Sequence, residues 1–202
     1  MNQSKADFFD SEIGSDWSSN DYTPEELEKL ERIFHASELK LGDMVIEPGC
    51  GTGRLTKLIA ERIGPSGVVV ASDISPKMIA KAHERLRNHE NVQVFLEEIE
   101  KIPVDLTSFD VVLCHNVFPH FDDKFLVTSK LATALKPNGK MVVSHFMNFS
   151  GVNSLHRKTN PAVARDFLPE NEQMVDIFSR AGLVVEYIVD DDKGYLLKAH
   201  KK

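Results

Sequence analysis

The sequence predicts an α/β domain built on a seven-stranded, mostly parallel sheet with helices on both faces. Five short apolar runs, at 44–46, 68–71, 92–95, 110–114 and 140–144, alternate with segments of helical apolar spacing. Strands joined through helices in this way need right-handed crossovers, which make the sheet parallel and cover both its faces. Two further runs, at 183–189 and 195–200, are separated only by Asp190-Asp191-Asp192-Lys193-Gly194. So short a link permits nothing but an antiparallel hairpin.

Residues 1–22 mix Asp, Ser and Asn with isolated aromatics, Phe8, Phe9, Trp17 and Tyr22. This is the pattern of an arm or short helix docking a few rings onto a body, with a loose tail as the alternative. At Thr23-Pro24-Glu25-Glu26 an N-cap, a first-turn proline and two acids open a helix with Leu27, Leu30, Ile33 and Phe34 on its apolar face, ending near Leu39. The first strand stops at Glu47-Pro48-Gly49, and the helix after it carries Leu55, Leu58, Ile59 and Ile63. Gly64-Pro65-Ser66-Gly67 is a turn into the second strand, Val68-Val69-Val70-Ala71, which reads as covered on both faces. Ser75-Pro76 starts a helix with Met78, Ile79, Ala82 and Leu86 on one side. A helix over 123–135 is stopped by Lys136-Pro137-Asn138-Gly139, and a last helix over 170–181 ends at Gly182. Residues 147–168 between them read as an irregular insertion. No repeat or low-complexity segment interrupts the series.

A length of 202 residues, 42% hydrophobic and 27% charged, predicts one domain spanning 23–202 behind the arm at 1–22. No stretch approaches a membrane span, and MNQSKADFFDSE lacks a basic region followed by an apolar run, so a cytoplasmic chain is expected. The net charge of −7 argues against a surface that tracks a nucleic-acid backbone. Cys50 and Cys114 supply neither a disulfide framework nor a Cys-x-x-Cys pair.

The chemistry concentrates at Glu47-Pro48-Gly49-Cys50-Gly51-Thr52-Gly53, where the first strand hands over to its helix. Open parallel sheets bind ligands there. Glycines allow close backbone approach, and the free amides of a helix start favour a negative group. Gly-x-Gly-x-Gly followed by Arg54 lacks the third glycine of the dinucleotide pattern, and no Gly-Lys-Ser/Thr is present. NAD and ATP are therefore runners-up. Asp73 ends the second strand, twenty residues after Gly53, where a carboxylate can accept from both hydroxyls of a ribose. A helix-start acid is the other reading of Asp73, and the glycine loop tips the choice toward ribose.

VIEPGCGTGRLT (45–56), VVVASDISPKMIAKA (68–82), EEIEKIP (97–103), FDVVLCHNVFPHF (109–121) and LKPNGKMVVSHF (135–146) are similar, in order and spacing, to the successive motifs of class I S-adenosylmethionine-dependent methyltransferases. The small-molecule branch that includes the ubiquinone and menaquinone methyltransferases is the group the chain resembles, and Phe8-Phe9-Asp10 and Trp17 of the arm share in that resemblance. The resemblance implies a Rossmann-like sheet of order 3-2-1-4-5-7-6 with strand 7 antiparallel. It implies S-adenosylmethionine as cofactor, S-adenosylhomocysteine as product, and Gly49, Cys50, Gly51 and Gly53 behind the methionine portion with Glu47 near its ammonium. Asp73 would hold the ribose, Ile74 and Met78 would lie at the adenine, Glu98 would accept from the adenine amino group beside Ile99, and His115 would flank the sulfonium. The family more often has Asp where Glu98 stands.

Methyl transfer from a sulfonium needs alignment above all, and a general base only when the acceptor must lose a proton. His115, His120, His145 and His156 follow the fourth and fifth strands on the substrate side of the sheet. His115, His145 and His156 are the catalytic candidates and His120 a substrate-binding one, against the alternative that each only caps a loop or packs. No metal site is expected, since the histidines lack helical ligand spacing and Asp122 and Asp123 read as helix-start acids. Arg157, Lys158 and Arg165 stand against the single acid Asp166 within 147–168. Arg157 and Arg165 would attract an anionic acceptor, unless this is simply a solvated helix face. The expected partner is a small-molecule methyl acceptor, with no nucleic acid and no membrane, and the chain a monomer or homodimer. A silent cofactor-binding module and an NAD-dependent oxidoreductase are the competing functions.

Overall fold

The computed structural model describes residues 2–103 and 105–202, so Met1 of the arm lies outside the described residues. Seven strands form one sheet: β1 (Met44–Pro48), β2 (Val68–Asp73), β3 (Val92–Leu96), β4 (Phe109–His115), β5 (Leu135–His145), β6 (Leu183–Asp191) and β7 (Gly194–Lys201). Their order is β3-β2-β1-β4-β5-β7-β6, as the sequence implies. The first five run parallel, and β7 is antiparallel to both β5 and β6. The order reverses between β1 and β4, which opens a crevice at their carboxyl ends.

Successive side chains of a strand point to opposite faces, and the core divides accordingly. Val45, Val69, Val111, Leu113 and Val142 pack with Leu30 and Ile33 of α3 (Pro24–Ser37) and Ile59 and Ile63 of α4 (Arg54–Ile63). The residues between them, Ile46, Val70, Val112, Cys114, Met141 and Val143, pack with Leu131 of α6 (Lys124–Ala134) and with Met174 and Phe178 of α8 (Asn171–Arg180). The remaining helix on the sheet, α5 (Pro76–Leu86), buries Met78, Ile79, Ala82 and Leu86.

Local signals explain the element ends. Thr23 and Glu26 form a reciprocal capping box at α3, with Pro24 at the first helical position. The Ser75 hydroxyl caps α5 by accepting from Met78 N at 3.1 Å, and Asp123 caps α6 by accepting from Leu126 N at 2.9 Å. At the final hairpin Gly194 has φ 119°, and a Cβ there would stand 2.1 Å from the carbonyl oxygen of His145. Only glycine lets the turn pass so close over the end of β5.

Three features depart from the sequence reading. Lys136-Pro137-Asn138-Gly139 ends α6 but lies inside β5: Phe109 pairs with Leu135 and Val111 with Lys140, so the intervening residues bulge from the ladder. Helix α3 closes at Ser37, with Glu38 left-handed at φ 52°. The insertion is not irregular, because α7 (Phe149–Lys158) occupies its first half, capped by Asn148 accepting from Gly151 N at 2.8 Å. Its buried face is Val152, Asn153 and His156, and two polar residues of three hide the apolar period on which a helix is read from sequence.

The arm is helical. Helices α1 (Gln3–Ser11) and α2 (Asp16–Ser19) lie across the carboxyl ends of the strands. The Asp10 carboxylate accepts from Ser75 Oγ at 2.5 Å and Lys77 N at 3.0 Å, fastening α1 to the start of α5. The carbonyl of Ser18 accepts from the Thr52 hydroxyl, and that of Trp17 from the Arg54 guanidinium.

Candidate functional site

A cavity opens at the carboxyl ends of β1, β2 and β4, walled on its outer side by the arm. The glycine loop is its floor. Gly49, Gly51 and Gly53 all have positive φ, at 67°, 54° and 77°, a region costly to residues with a Cβ. At Gly49 a Cβ would lie 2.2 Å from Cγ2 of Val117, so the loop after β4 presses directly on the bare backbone. Gly51 meets nothing within 4 Å of an added Cβ and faces open space. Gly53 differs: it does not line the cavity, and its added Cβ would meet the Leu86 side chain at 2.9 Å. Its role is to start α4 and seat it against α5.

Two carboxylates stand on this floor. Asp73, at the end of β2, accepts from Gly51 N and from Ser75 N, each at 2.9 Å. One backbone amide is thus bound by each oxygen, and each keeps acceptor capacity for a ligand hydroxyl. Burial raises its pKa, while the amides of Ser75 and Gly51 oppose the rise. Glu47 is only 3% exposed, and burial, with the nearby charge of Asp73, pushes its carboxyl up to about 8. The Thr56 hydroxyl nearby opposes the rise, yet Oε2 is buried outside hydrogen-bond geometry with any partner.

Opposite in charge stands Arg54, the first residue of α4. Its guanidinium lies over the Tyr22 ring at 3.8 Å, pairs with Glu26 at 3.2 Å and donates to the carbonyl of Trp17. Its Nε is buried without a partner. Of the buried side-chain atoms lacking partners among the described residues, only Glu47 Oε2 and Arg54 Nε belong to residues that line the cavity. The sequence reading passed over Arg54 because it served there only to break a glycine pattern. An arginine at a helix's first residue, where positive charge opposes the dipole, is the signal that marks it.

Ile74, Met78 and Ile99 form the apolar part of the lining beyond Asp73. Glu98 lines it too, accepting from Asn2 N at 3.1 Å and pairing with Lys101, which holds its carboxyl below the usual range. Cys50 is a buried lining residue whose thiol burial pushes far up.

The histidines separate clearly. His115 lines the cavity, yet both ring nitrogens are engaged: Nδ1 lies 2.9 Å from Ser144 Oγ, and Nε2 accepts from the Asn116 amide at 3.1 Å. The Asn116 orientation is fixed because its oxygen accepts from Phe146 N at 3.3 Å. Burial, with the Arg54 charge, lowers the His115 pKa to about 3, which makes it a poor proton acceptor. His145 is buried away from the cavity beside Tyr195, and burial holds it neutral. His156 also lies outside, with Nδ1 bonded to the carbonyl of Asp166. His120 alone pairs a place in the lining with a carboxylate partner, its Nδ1 lying 2.9 Å from Asp166 Oδ2. Arg157 and Arg165, expected at the acceptor, are both exposed and outside the cavity, Arg157 over the Phe167 ring at 5.0 Å. These basic residues are a solvated surface, and the positive charge at the site comes instead from Arg54 and from the arm. Lys5, 4% exposed, donates to the His120 carbonyl and to Asp122, both at 2.7 Å, and pairs with Asp166 at 3.0 Å. Asp122 is thus a partner of the arm, whereas Asp123 is the helix cap. No group of three or more metal-ligating side chains comes together among the described residues. No helix among them is long and apolar enough to cross a membrane.

A family model described as a methyltransferase domain matches residues 39–189, from the approach to β1 through most of β6. The chain belongs to this methyltransferase domain family. Among curated relatives, the demethylmenaquinone methyltransferase of Lactobacillus johnsonii is 28% identical over 65% of this chain and 52% of its own length. The chain spans about half the length of the curated relatives it matches. Among solved structures, a SAM-dependent methyltransferase from Aquifex aeolicus superposes with a TM-score of 0.69 at 20% identity, covering 90% of this chain and all of the other. An N-methyltransferase from Haemonchus contortus, solved with phosphomonomethylethanolamine and S-adenosylhomocysteine, gives 0.72 at 22% identity, covering 92% of this chain and 45% of that one. For this methyltransferase-family chain these structures establish a shared fold, and the arm, which the family model does not reach, is held in place by its own contacts.

Proposed function

We propose that the chain is an S-adenosylmethionine-dependent methyltransferase acting on a small-molecule acceptor. The observation that carries this reading is the pair of buried, unpartnered atoms, Glu47 Oε2 on an acid and Arg54 Nε on a base, on residues either side of a loop whose three glycines all take positive φ. Leaving such atoms unpaired is costly. A zwitterionic amino-acid end offers each side chain a partner once it turns toward the cavity that both line, its ammonium at Glu47 and its carboxylate at Arg54. The backbone of Gly49, Cys50 and Gly51 would support that end, Asp73 the ribose, and Ile74, Met78 and Ile99 the adenine, with Glu98 available to the adenine amino group once it exchanges Lys101.

When bound, the donor supplies a methyl group already activated on a positively charged sulfur, so the protein contributes alignment and exclusion of water. The arm serves the second need, since Phe9, Trp17 and Tyr22 line the cavity on its solvent side. The acceptor would enter between the arm and the loop after β4. An anionic acceptor loses the support of Arg157 and Arg165, and Lys5 is fully engaged by Asp122, Asp166 and the His120 carbonyl.

Calorimetry with S-adenosylmethionine, S-adenosylhomocysteine and NAD tests the reading. Both methionine derivatives should bind the wild type, and Arg54→Met should weaken both by roughly tenfold or more, the worth of a charged hydrogen bond. Tight binding of NAD and of neither methionine derivative would overturn it.

A further inference from the structure

We propose that His120 is the proton acceptor of the methyl-transfer reaction, with Asp166 as its positioning residue, and that the acceptor therefore carries a proton on the atom to be methylated. The proposal rests on the methyltransferase reading and deepens it.

Four histidines lie near the substrate side of the sheet, and geometry removes three. His115 has both nitrogens occupied, and His145 and His156 lie outside the cavity. His120 lines it, on the 3-10 turn after β4 (Phe118–His120). Its Nδ1 faces Asp166 Oδ2 at 2.9 Å. A carboxylate accepts there, so Nδ1 carries the hydrogen and Nε2 keeps its lone pair. Nε2 has no hydrogen-bond partner among the described residues, and it is not among the sealed, unpartnered atoms. Asp166 is fixed in turn by Lys5 at 3.0 Å, and Lys5 by Asp122 at 2.7 Å. The imidazole is wedged between the rings of Phe9 and His156, at 5.1 and 4.8 Å. A base with one nitrogen open, the other on an anchored carboxylate, and its ring held by packing is the arrangement that proton transfer requires.

The step balances within the pair. The acceptor's proton passes to Nε2, and the electron pair left on the acceptor atom forms its bond to the methyl carbon. The pair of the methyl–sulfur bond stays on sulfur, so the positive charge moves from sulfur to the imidazolium, beside the Asp166 carboxylate. Burial lowers the His120 pKa and Asp166 opposes that change, so the ring is neutral and ready to accept. The charged and titratable groups facing it are Asp166, His156, His145 and Lys5, with Asp122 beyond Lys5.

Two measurements test the proposal. The first is 15N NMR of histidine-labelled full chain. Wild-type His120 should be the Nδ1–H tautomer with an unprotonated Nε2, and Asp166→Asn should lower its titration midpoint by about one pH unit or more. A hydrogen on Nε2 at neutral pH, or a midpoint indifferent to Asp166→Asn, would overturn the proposal even if no acceptor is turned over. The second follows methyl transfer from labelled S-adenosylmethionine to catechol and 1,4-naphthohydroquinone, which carry protons, and to iodide, which carries none. His120→Gln should lower kcat on whichever protic probe is used about 10²- to 10⁴-fold while sparing iodide and donor binding. Asp166→Asn should lower kcat less and move its acid limb to lower pH. Equal losses on protic and protonless probes, or none, would refute it. Calorimetry on the same samples separates the two levels: failure of the wild type to bind S-adenosylmethionine refutes the methyltransferase reading, whereas intact binding with an indifferent His120 refutes only the base.

Discussion

Replacing Glu47 by glutamine should remove a pH-dependent burden on folding, and the structure sets its size. The carboxyl is 3% exposed, has one oxygen without a partner, and is raised from 4.5 to about 8 chiefly by burial. Below pH 4.5 it is neutral in both the folded and the unfolded chain. Between 4.5 and 8 the unfolded chain ionises while the folded chain holds its proton, so the stability present at low pH is lost progressively as pH rises through 8. At about 1.4 kcal/mol per pH unit, the full interval amounts to at most about 5 kcal/mol. Glutamine has no such charge. Urea unfolding of both proteins from pH 4 to 9, without ligand, should give a variant-minus-wild-type difference that grows in favour of the variant across this window and levels off above it. Other titrating groups cancel in the difference. S-adenosylmethionine should then reverse the order, because its ammonium pairs with the wild-type carboxylate and not with the amide. Stability differences that stay constant with pH would refute a desolvated carboxyl, and equal cofactor affinity in the two proteins would refute its pairing with the ammonium.

Asp73→Asn should weaken S-adenosylmethionine by about 1.5 to 3 kcal/mol per charged hydrogen bond lost, read by calorimetry, and should also lower ligand-free stability because Gly51 N and Ser75 N both donate to this carboxylate. Gly49→Ala forces a Cβ to 2.2 Å from Val117 at φ 67°; it should destabilise the fold by about 2 to 5 kcal/mol from overpacking and left-handed strain together, seen as a lowered midpoint in urea. Lys5→Met should free the arm by leaving Asp122 and Asp166 without their shared cation, so that limited proteolysis cuts between α1 and α2 several-fold faster than in the wild type while the remainder stays resistant.

The sheet was legible because its signals are local. Apolar runs bounded by Gly, Pro and Asn, with caps at Thr23, Ser75 and Asp123, state the strands and the helices packed between them before any long-range contact is considered. The floor of the site was legible for a similar reason: Glu47, Gly49, Gly51 and Asp73 sit at strand ends, and the parallel topology alone brings strand ends together. What stayed hidden depends on contacts between distant segments. Nothing within 147–168 distinguishes His156 from a ligand or Arg157 from an acceptor contact, since the burial of the first and the exposure of the second are set by how α7 lies against the body. Lys5 shows this most sharply. In sequence it is one lysine in a polar arm, and in the fold it joins Asp122, Asp166 and the His120 carbonyl, residues 115 to 161 positions away. Burying a lysine is tolerable only when its charge is matched, so this contact also positions the arm. The cation that pins the arm is also paired with Asp166, the carboxylate on His120 Nδ1, so the seating of the arm and the orientation of this imidazole share one ion pair.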